Sequence, residues 1–265
     1  MPPRRRVLGL VSALALTVAG AAGAVDPPAN VPDAATLVRD RQIVNETLAA
    51  SQTGGFDVVR DRMTELQAVL THAPSPFSQV EERAGVVYIR ETSPEGCLAG
   101  MLEFAARKAP SASKKAVCID NPYPVAALLI GSYLDDVRRP EDGLAILDRG
   151  LSFDPHYPVL VAEKGASLNM LRRPADALAV YQGGLAEIPV LDNWQRGILM
   201  RGEGYALVEL KRYDEAKQAY EASLKIDPNH GHAAKELAYI ACVRSGCPST
   251  PMTFNASIPS STPPK

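Results

Sequence analysis

Cysteine is the residue type in this chain with the clearest capacity for chemistry. The 265 residues include four cysteines, Cys97, Cys118, Cys242 and Cys247. An even number would predict disulfide bonds if the chain is exported, and the spacing favours Cys97–Cys118 and Cys242–Cys247, although the other pairings stay open. Free thiols are the second interpretation. Redox or metal chemistry is the least favoured one, because four residues separate Cys242 from Cys247 and a thiol oxidoreductase has two there.

The histidines do not indicate a metal centre. His230 and His232 could share an ion, but they follow Pro228 in a segment typical of a polar turn, and His156 lies in a similar turn after Pro155. The sequence contains no nucleophile elbow, no zinc-binding H-E-x-x-H and no phosphate-cradling glycine loop. We therefore predict no catalytic residue, no metal and no cofactor, and we expect a protein that is not an enzyme.

The elements that carry these residues can be inferred from a stretch that occurs three times. Residues 137–151, 171–185 and 210–224 align without gaps, the second copy 34 residues after the first and the third 39 after the second. A period of 34 residues predicts stacked helical hairpins. The five extra residues before the third copy predict a longer turn or an extended helix.

The repeated unit resembles the tetratricopeptide repeat family. With position 1 at Pro124, Pro158 and Gly197, small residues recur at positions 8, 20 and 27, a large apolar or aromatic residue at 24, and Pro at 32. The resemblance implies an all-α fold, a right-handed superhelical solenoid of three hairpins followed by a C-terminal cap helix. The expected units are repeats at 124–157, 158–191 and 197–230, and a cap helix at 231–245. The family also binds proteins or peptides in a concave groove lined by the first helix of each repeat.

In that geometry positions 2, 5, 9 and 12 of each first helix face the groove. The first repeat then contributes Val125, Leu128, Ser132 and Asp135. The residues expected to hold a partner lie toward the other end: Asn169, Arg201, Tyr205, Lys235 and Tyr239. Our hypothesis is an extended or helical peptide with an acidic group near Arg201 and Lys235. The alternative is that both tyrosines pack between helices while both cations are merely solvated.

Residues 1–24 predict an export signal. Arg4-Arg5-Arg6 precedes an apolar run at 7–19, and Ala22-Gly23-Ala24 is a cleavage site. We expect export to a bacterial periplasm; a twin-arginine signal and an uncleaved anchor are the alternatives. Removal of the three arginines from 28 basic residues leaves 25 against 30 acidic ones. These form no basic stripe, so we expect no nucleic-acid partner and no stable membrane insertion after cleavage.

The remaining segments complete the predicted organisation. Residues 25–35 form a linker, and 36–120 form a small, mostly helical N-terminal element. Within that element, 85–90 is either one short strand or part of a helix that continues from Ser78. Residues 121–245 are the repeat domain, and 246–265 form a disordered tail. Two functions compete with an interaction module: a permanent structural subunit of an envelope assembly, and an enzyme or enzyme subunit with its chemistry in 36–120.

Overall fold

The computed structural model describes residues 32–75, 77–83, 85–92, 94–107 and 115–247. The predicted export signal, most of the predicted linker and the tail from residue 248 lie outside the described residues. Among the helices that are described, none combines the length and apolar content that crossing a membrane requires.

Helices dominate the described part of the chain. The first four are α1 (Ala34–Gly54), α2 (Phe56–Asp61), α3 (Met63–Thr71) and α4 (Pro94–Arg107). The strands are β1 (Val80–Arg83), β2 (Val86–Glu91) and β3 (Lys115–Asp120). The remaining helices are α5 (Tyr123–Asp136), α6 (Pro140–Phe153), α7 (Pro158–Met170), α8 (Pro174–Glu187), α9 (Asn193–Glu209), α10 (Tyr213–Ile226) and α11 (Gly231–Arg244).

Helices α5 to α10 form three consecutive hairpins, and α11 follows as a single last helix, as the repeat predicts. Each helix packs against the next one along the chain. The five extra residues become a loop and an early start for α9, so both sequence interpretations hold in part. Asp192 and Gln195 fix that start with a capping box, in which each side chain accepts a hydrogen bond from the other residue's backbone N–H.

Glycine at position 8 is what allows the two helices of a hairpin to approach. A Cβ added at Gly165 would lie 2.3 Å from Cζ of Tyr181, and one at Gly204 would lie 2.9 Å from Cζ of Tyr220. The two tyrosines occupy position 24 and are almost completely buried. The ring of one helix therefore fills the space that a side chain on the other would need.

The turn inside each hairpin is built in the same way three times. Arg138, Arg172 and Lys211 have φ angles of 66°, 59° and 61°, the left-handed region that ends many helices. The next residue is arginine in every copy, and it forms an ion pair with an acidic residue three positions later. The adjacent basic residues at 138–139, 172–173 and 211–212 are therefore part of the turn structure of the hairpins.

The first three helices cover the start of the solenoid. Helices α1 to α3 pack against α5, as helices of the predicted mostly helical N-terminal element. Their chain reverses direction at Gly55, which has a φ of 65°. The side chains buried at this contact are Val44, Val59, Leu66, Val69 and Leu70. Asp33 caps α1 by accepting a 3.0 Å hydrogen bond from the backbone N–H of Thr36.

The N-terminal element contains a three-stranded sheet, where the sequence predicted at most one strand. β1 pairs antiparallel with β2, and β2 pairs parallel with β3 through α4 as the crossover. The predicted strand at 85–90 corresponds to β2, and the alternative of a helix from Ser78 is wrong. The other two strands gave little local signal, because β1 is short and charged and β3 pairs with a partner nearly 30 residues away.

The sheet is fastened to the solenoid near the turn between α6 and α7. Thr92 donates a 2.6 Å hydrogen bond to Asp154, and Nδ2 of Asn121 donates to the carbonyl of Phe153 at 3.0 Å. The ring of Phe77 lies 5.1 Å from that of Phe153. Burial raises the pKa of Asp154 although Thr92 opposes the shift. The sheet thus sits at the edge of the solenoid where second helices end and first helices begin.

Candidate functional site

Helix α9 is the longest of the solenoid, with 17 residues. One side is consumed by packing: Leu199 and Leu207 are buried, and Gly204 lies against Tyr220 of α10. The opposite face carries four half-buried side chains, Ile198, Arg201, Tyr205 and Val208. These are the four positions that the sequence assigned to the groove in the third repeat.

Arg201 is the electrostatic centre of this face. Its Nη1 lies only 2.9 Å from the place where a Cβ on Gly197 would be, so the guanidinium folds back along its own helix. Burial lowers its pKa, and the negative charge of Asp227 opposes that shift. Arg201 forms no hydrogen bond or ion pair with any other residue in the described part of the chain. A partly desolvated cation without a counter-ion favours an anionic ligand.

The start of α11 lies beside Arg201. His230 caps that helix by accepting a hydrogen bond from the N–H of Ala233. Burial, and then the positive charge of Arg201, lower the pKa of His230. The amino end of a helix carries partial positive charge, so the guanidinium and the helix end reinforce each other.

Lys235 and Tyr239 continue this surface along α11. Lys235 is exposed, and Tyr239 is half-buried against the core of the solenoid. Between them Glu236 is 8% exposed, and burial followed by the charge of Glu209 raises its pKa. Nε2 of His232 lies 3.8 Å from Oε1 of Glu236. The surface is therefore cationic at its rim, with a carboxyl group of reduced acidity at its base.

Helix α7 forms the other side of this surface. Ala162 and Ala166 are short and half-buried, and the hydroxyl of Tyr181 reaches between the helices to donate a 3.3 Å hydrogen bond to the Ala162 carbonyl. Oδ1 of Asn169 is buried and has no hydrogen-bond partner among the described residues. Small residues on α7 leave room beside the larger ones of α9.

The sequence predicted that the groove extends to the first repeat, but three of the four side chains assigned to it there are buried. Leu128, Ser132 and Asp135 are 2%, 7% and 8% exposed. Ser132 donates to Glu163 at 3.2 Å, and Ser167 donates to Asp135 at 2.6 Å. These polar side chains close the contact between α5 and α7, so they are unavailable to a ligand.

The structure contains one of the two disulfides that the sequence favours. A disulfide joins Cys97 of α4 to Cys118 of β3, the pairing favoured by spacing. Cys242 and Cys247 are instead free thiols. The end of α11 is already closed by backbone, because Gly246 adopts a φ of 78° and the N–H of Cys247 donates to the Cys242 carbonyl at 3.1 Å. The predicted second bridge is thus not needed to hold that helix end.

Two features were missed by the sequence analysis. Both carboxylate oxygens of Asp40 lie 3.0 Å from Nδ1 of His72, although Asp40 is 1% exposed. The two residues are too far apart in sequence to form a motif, and their contact ties α1 to the end of α3. Trp194, the only tryptophan of the chain, is 38% exposed in the first turn of α9. The described residues hold no cluster of three or more metal ligands.

Residues 198–230, the third repeat, match the family model described as Tetratricopeptide repeat. Similar solved structures include the first TPR domain of human RPAP3, with 21% identity, 47% of this chain and 94% of that chain covered, and a TM-score of 0.43. The first TPR of Spaghetti (RPAP3) bound to the HSP90 peptide SRMEEVD has 21% identity, 48% and 97% coverage, and a TM-score of 0.43. A thermophilic TPR protein of Thermus thermophilus has 14% identity, 76% and 98% coverage, and a TM-score of 0.41. The search of curated protein sequences found no match.

Proposed function

Because residues 198–230 match the tetratricopeptide-repeat model and α5 to α10 form three consecutive hairpins, we propose that the chain is an interaction module that holds a segment of a partner protein against α7, α9 and α11. The candidate contacts are Asn169, Arg201, Tyr205, Lys235 and Tyr239. No catalytic group is needed for this function.

The observation that carries the proposal is the state of Arg201. An arginine that loses hydration without gaining a counter-ion lowers the stability of the free protein. A partner carboxylate would restore the lost interaction, and arginine forms two parallel hydrogen bonds with such a group. Half-buried tyrosines beside it supply the rigid, amphipathic contact area that is common at protein interfaces.

We further propose that the protein acts outside the cytoplasm, in a bacterial periplasm. Residues 1–24 have the order of charged, apolar and small residues found in export signals. The disulfide between Cys97 and Cys118 is consistent with an oxidising compartment. N-terminal sequencing of the protein from fractionated cells tests this directly, with Val25 expected as the first residue.

The binding proposal is tested by capture of partners from the native cell envelope. The chain that starts at Val25 is immobilised, and retained proteins are identified by mass spectrometry. A double variant, Arg201→Glu with Lys235→Glu, should lose the specific partner while keeping the parent's melting temperature. Lys225→Glu is the matched control, because Lys225 is an exposed cation on α10. Equal capture by the double variant and the parent would show that the partner binds elsewhere.

A further inference from the structure

The open face of α9 extends beyond the residues that the repeat frame assigns to it. Trp194, Ile198, Arg201, Tyr205 and Val208 follow one another at intervals of four, three, four and three residues. This is the a/d spacing of a coiled-coil helix, which repeats every 3.5 residues. We call these five residues the α9 seam. At 1.5 Å per residue the seam is about 21 Å long.

The early start of α9 is what makes the seam continuous. Position 1 of the third repeat is Gly197, but the capping box at Asp192 begins the helix about one turn sooner. That extra turn places Trp194 in line with Ile198, and Trp194 remains 38% exposed. The other first helices begin at or within one residue of position 1.

The surroundings of the seam leave room for large side chains. On one side, Ala162 and Ala166 of α7 are short. Gly202 of α9 has no side chain, and the ring of Tyr181 fills the space beneath it. On the other side Lys235 and Tyr239 of α11 carry longer side chains.

We propose that the α9 seam receives an amphipathic α-helix of a partner protein, with apolar residues at a and d spacing and one Asp or Glu opposite Arg201. This rests on the proposed function and adds the form and chemistry of the bound segment. An extended peptide that crosses the first helices would meet one or two seam residues, whereas a helix along α9 meets all five. A single charged residue within an apolar seam fixes the register of the two helices.

Charge complementarity selects an acidic partner residue. Docking a helix would remove Arg201 from the water that it still contacts, and an isolated buried cation is unfavourable. Lys235 lies exposed on α11 and adds to the positive potential around Arg201. A partner with Lys or Arg at the central seam position is therefore rejected.

The test is selection of peptides on the intact chain from two displayed libraries. In the first, roughly 18 residues follow a helical heptad frame with randomised seam positions; in the second, all positions are random. Neither contains Trp, so the emission of Trp194 reports occupation of the seam. We expect binders from the heptad library that carry Asp or Glu at the central position and that alter the Trp194 emission.

Arg201→Glu should reverse this preference and enrich Lys or Arg at the central position. Arg201→Gln, which keeps a neutral side chain, should weaken the acidic peptides about ten- to a hundredfold. Lys225→Glu should select the same peptides as the parent. Melting curves of each variant establish that all are folded.

Three results would overturn the inference: no binders from the heptad library, binders without an acidic preference, or binding that leaves the Trp194 emission unchanged. An unrestricted library that yields acidic peptides without helical spacing would exclude the helix and retain Arg201 as the anion site. Loss of envelope capture in the Arg201→Glu, Lys235→Glu variant would still support the proposed function in that case. The two proposals can therefore fail separately.

Discussion

The contact between α5 and α7 and the contact between α7 and α9 occupy equivalent places in the solenoid, yet they are built differently. In the first, Ser132 and Asp135 are buried and hydrogen-bonded to side chains of the next repeat. In the second, the equivalent positions of α7 are Ala166 and Asn169, and Oδ1 of Asn169 has no hydrogen-bond partner among the described residues. The first half of the groove, formed by α5 and α7, is closed by its own polar groups. The second half, formed by α7, α9 and α11, keeps groups that a ligand can use.

The difference follows from which residues meet across neighbouring repeats. Positions 9 and 12 of one first helix lie against positions 6 and 10 of the next. Glu163 and Ser167 occupy those positions in α7 and bond back to α5. Gly202 and Ala206 occupy them in α9, and neither has a polar side chain. Stability is therefore concentrated in the first half, while binding capacity is concentrated in the second.

The largest effect is expected from Gly165→Leu, which would break both halves. Gly165 lies on the buried ring of Tyr181, which also fills the space beneath Gly202. A larger side chain must displace that ring, and overpacking of this kind costs about 1–3 kcal/mol or more. Thermal or urea unfolding monitored by circular dichroism measures the loss.

Gly183→Leu is the control for that variant. Gly183 lies on the neighbouring helix α8, and nothing within 4 Å would meet an added Cβ. Replacing glycine inside a helix should stabilise the protein by about 0.5–1 kcal/mol, since leucine has the higher helix propensity. If both variants melted like the parent, the close packing of α7 against Tyr181 would be wrong.

A smaller change in unfolding free energy should distinguish the two halves of the groove. Asp135→Ala removes the 2.6 Å hydrogen bond between Ser167 and a carboxylate and leaves the hydroxyl only its 3.1 Å contact with the Glu163 carbonyl. Loss of a hydrogen bond to a charged group should cost about 1.5–3 kcal/mol in unfolding free energy. Arg201→Ala removes a side chain without a hydrogen bond or ion pair among the described residues, so its cost should stay within about 0.5 kcal/mol. Comparable losses in urea unfolding for the two variants would contradict a division between a structural and a binding half.

Much of the solenoid could be predicted because its determinants are local and repeated. Glycine at position 8, the ring at position 24 and proline at position 32 recur at fixed offsets, so the register of six helices followed from three aligned copies. The early start of α9 was predicted only as a longer turn or an extended helix, because the capping box depends on the side chains of Asp192 and Gln195.

The parts that were missed depend on contacts between distant residues. The sheet needs β2 to meet β3, with Ile89 opposite Cys118, and neither strand specifies its partner locally. The closed half of the groove needs Ser132 to meet Glu163 across a helix pair. The repeat frame gave the position of Ser132 on its helix, but it could not give the side chain facing it.

Glu236 should contribute to the pH dependence of the stability of the protein. Its pKa in the folded chain is raised by burial and then by Glu209, so the folded state binds more protons than the unfolded one between the two pKa values. The contribution of this group to stability is complete below the unfolded pKa and decreases as the pH rises through the folded one. Glu236→Gln should reduce that decrease and slightly stabilise the protein at neutral pH.

Unfolding free energies of the parent and Glu236→Gln between about pH 4 and pH 8 measure this difference, which spans the ordinary range of carboxyl titration. Asp142→Asn is a control, because that carboxylate lies on the exposed surface in an ion pair with Arg139. A parent and a Glu236→Gln variant with parallel pH profiles would mean that the carboxyl is hydrated.

The smallest effect concerns the two pairs of cysteines. Cys97 and Cys118 in the N-terminal element are joined, whereas Cys242 and Cys247 near the end of α11 are free. A hydrogen bond between the two thiols lowers the pKa of Cys247 and raises that of Cys242, and Ser245 contributes to the lowering.

Because the thiolate is the reactive form, an alkylating reagent should modify Cys247 first. Peptide mapping after brief alkylation of the non-reduced protein should find Cys247 labelled, Cys242 labelled more slowly, and Cys97 and Cys118 protected. Protection of all four cysteines would show that Cys242 and Cys247 also form the disulfide that the sequence predicted.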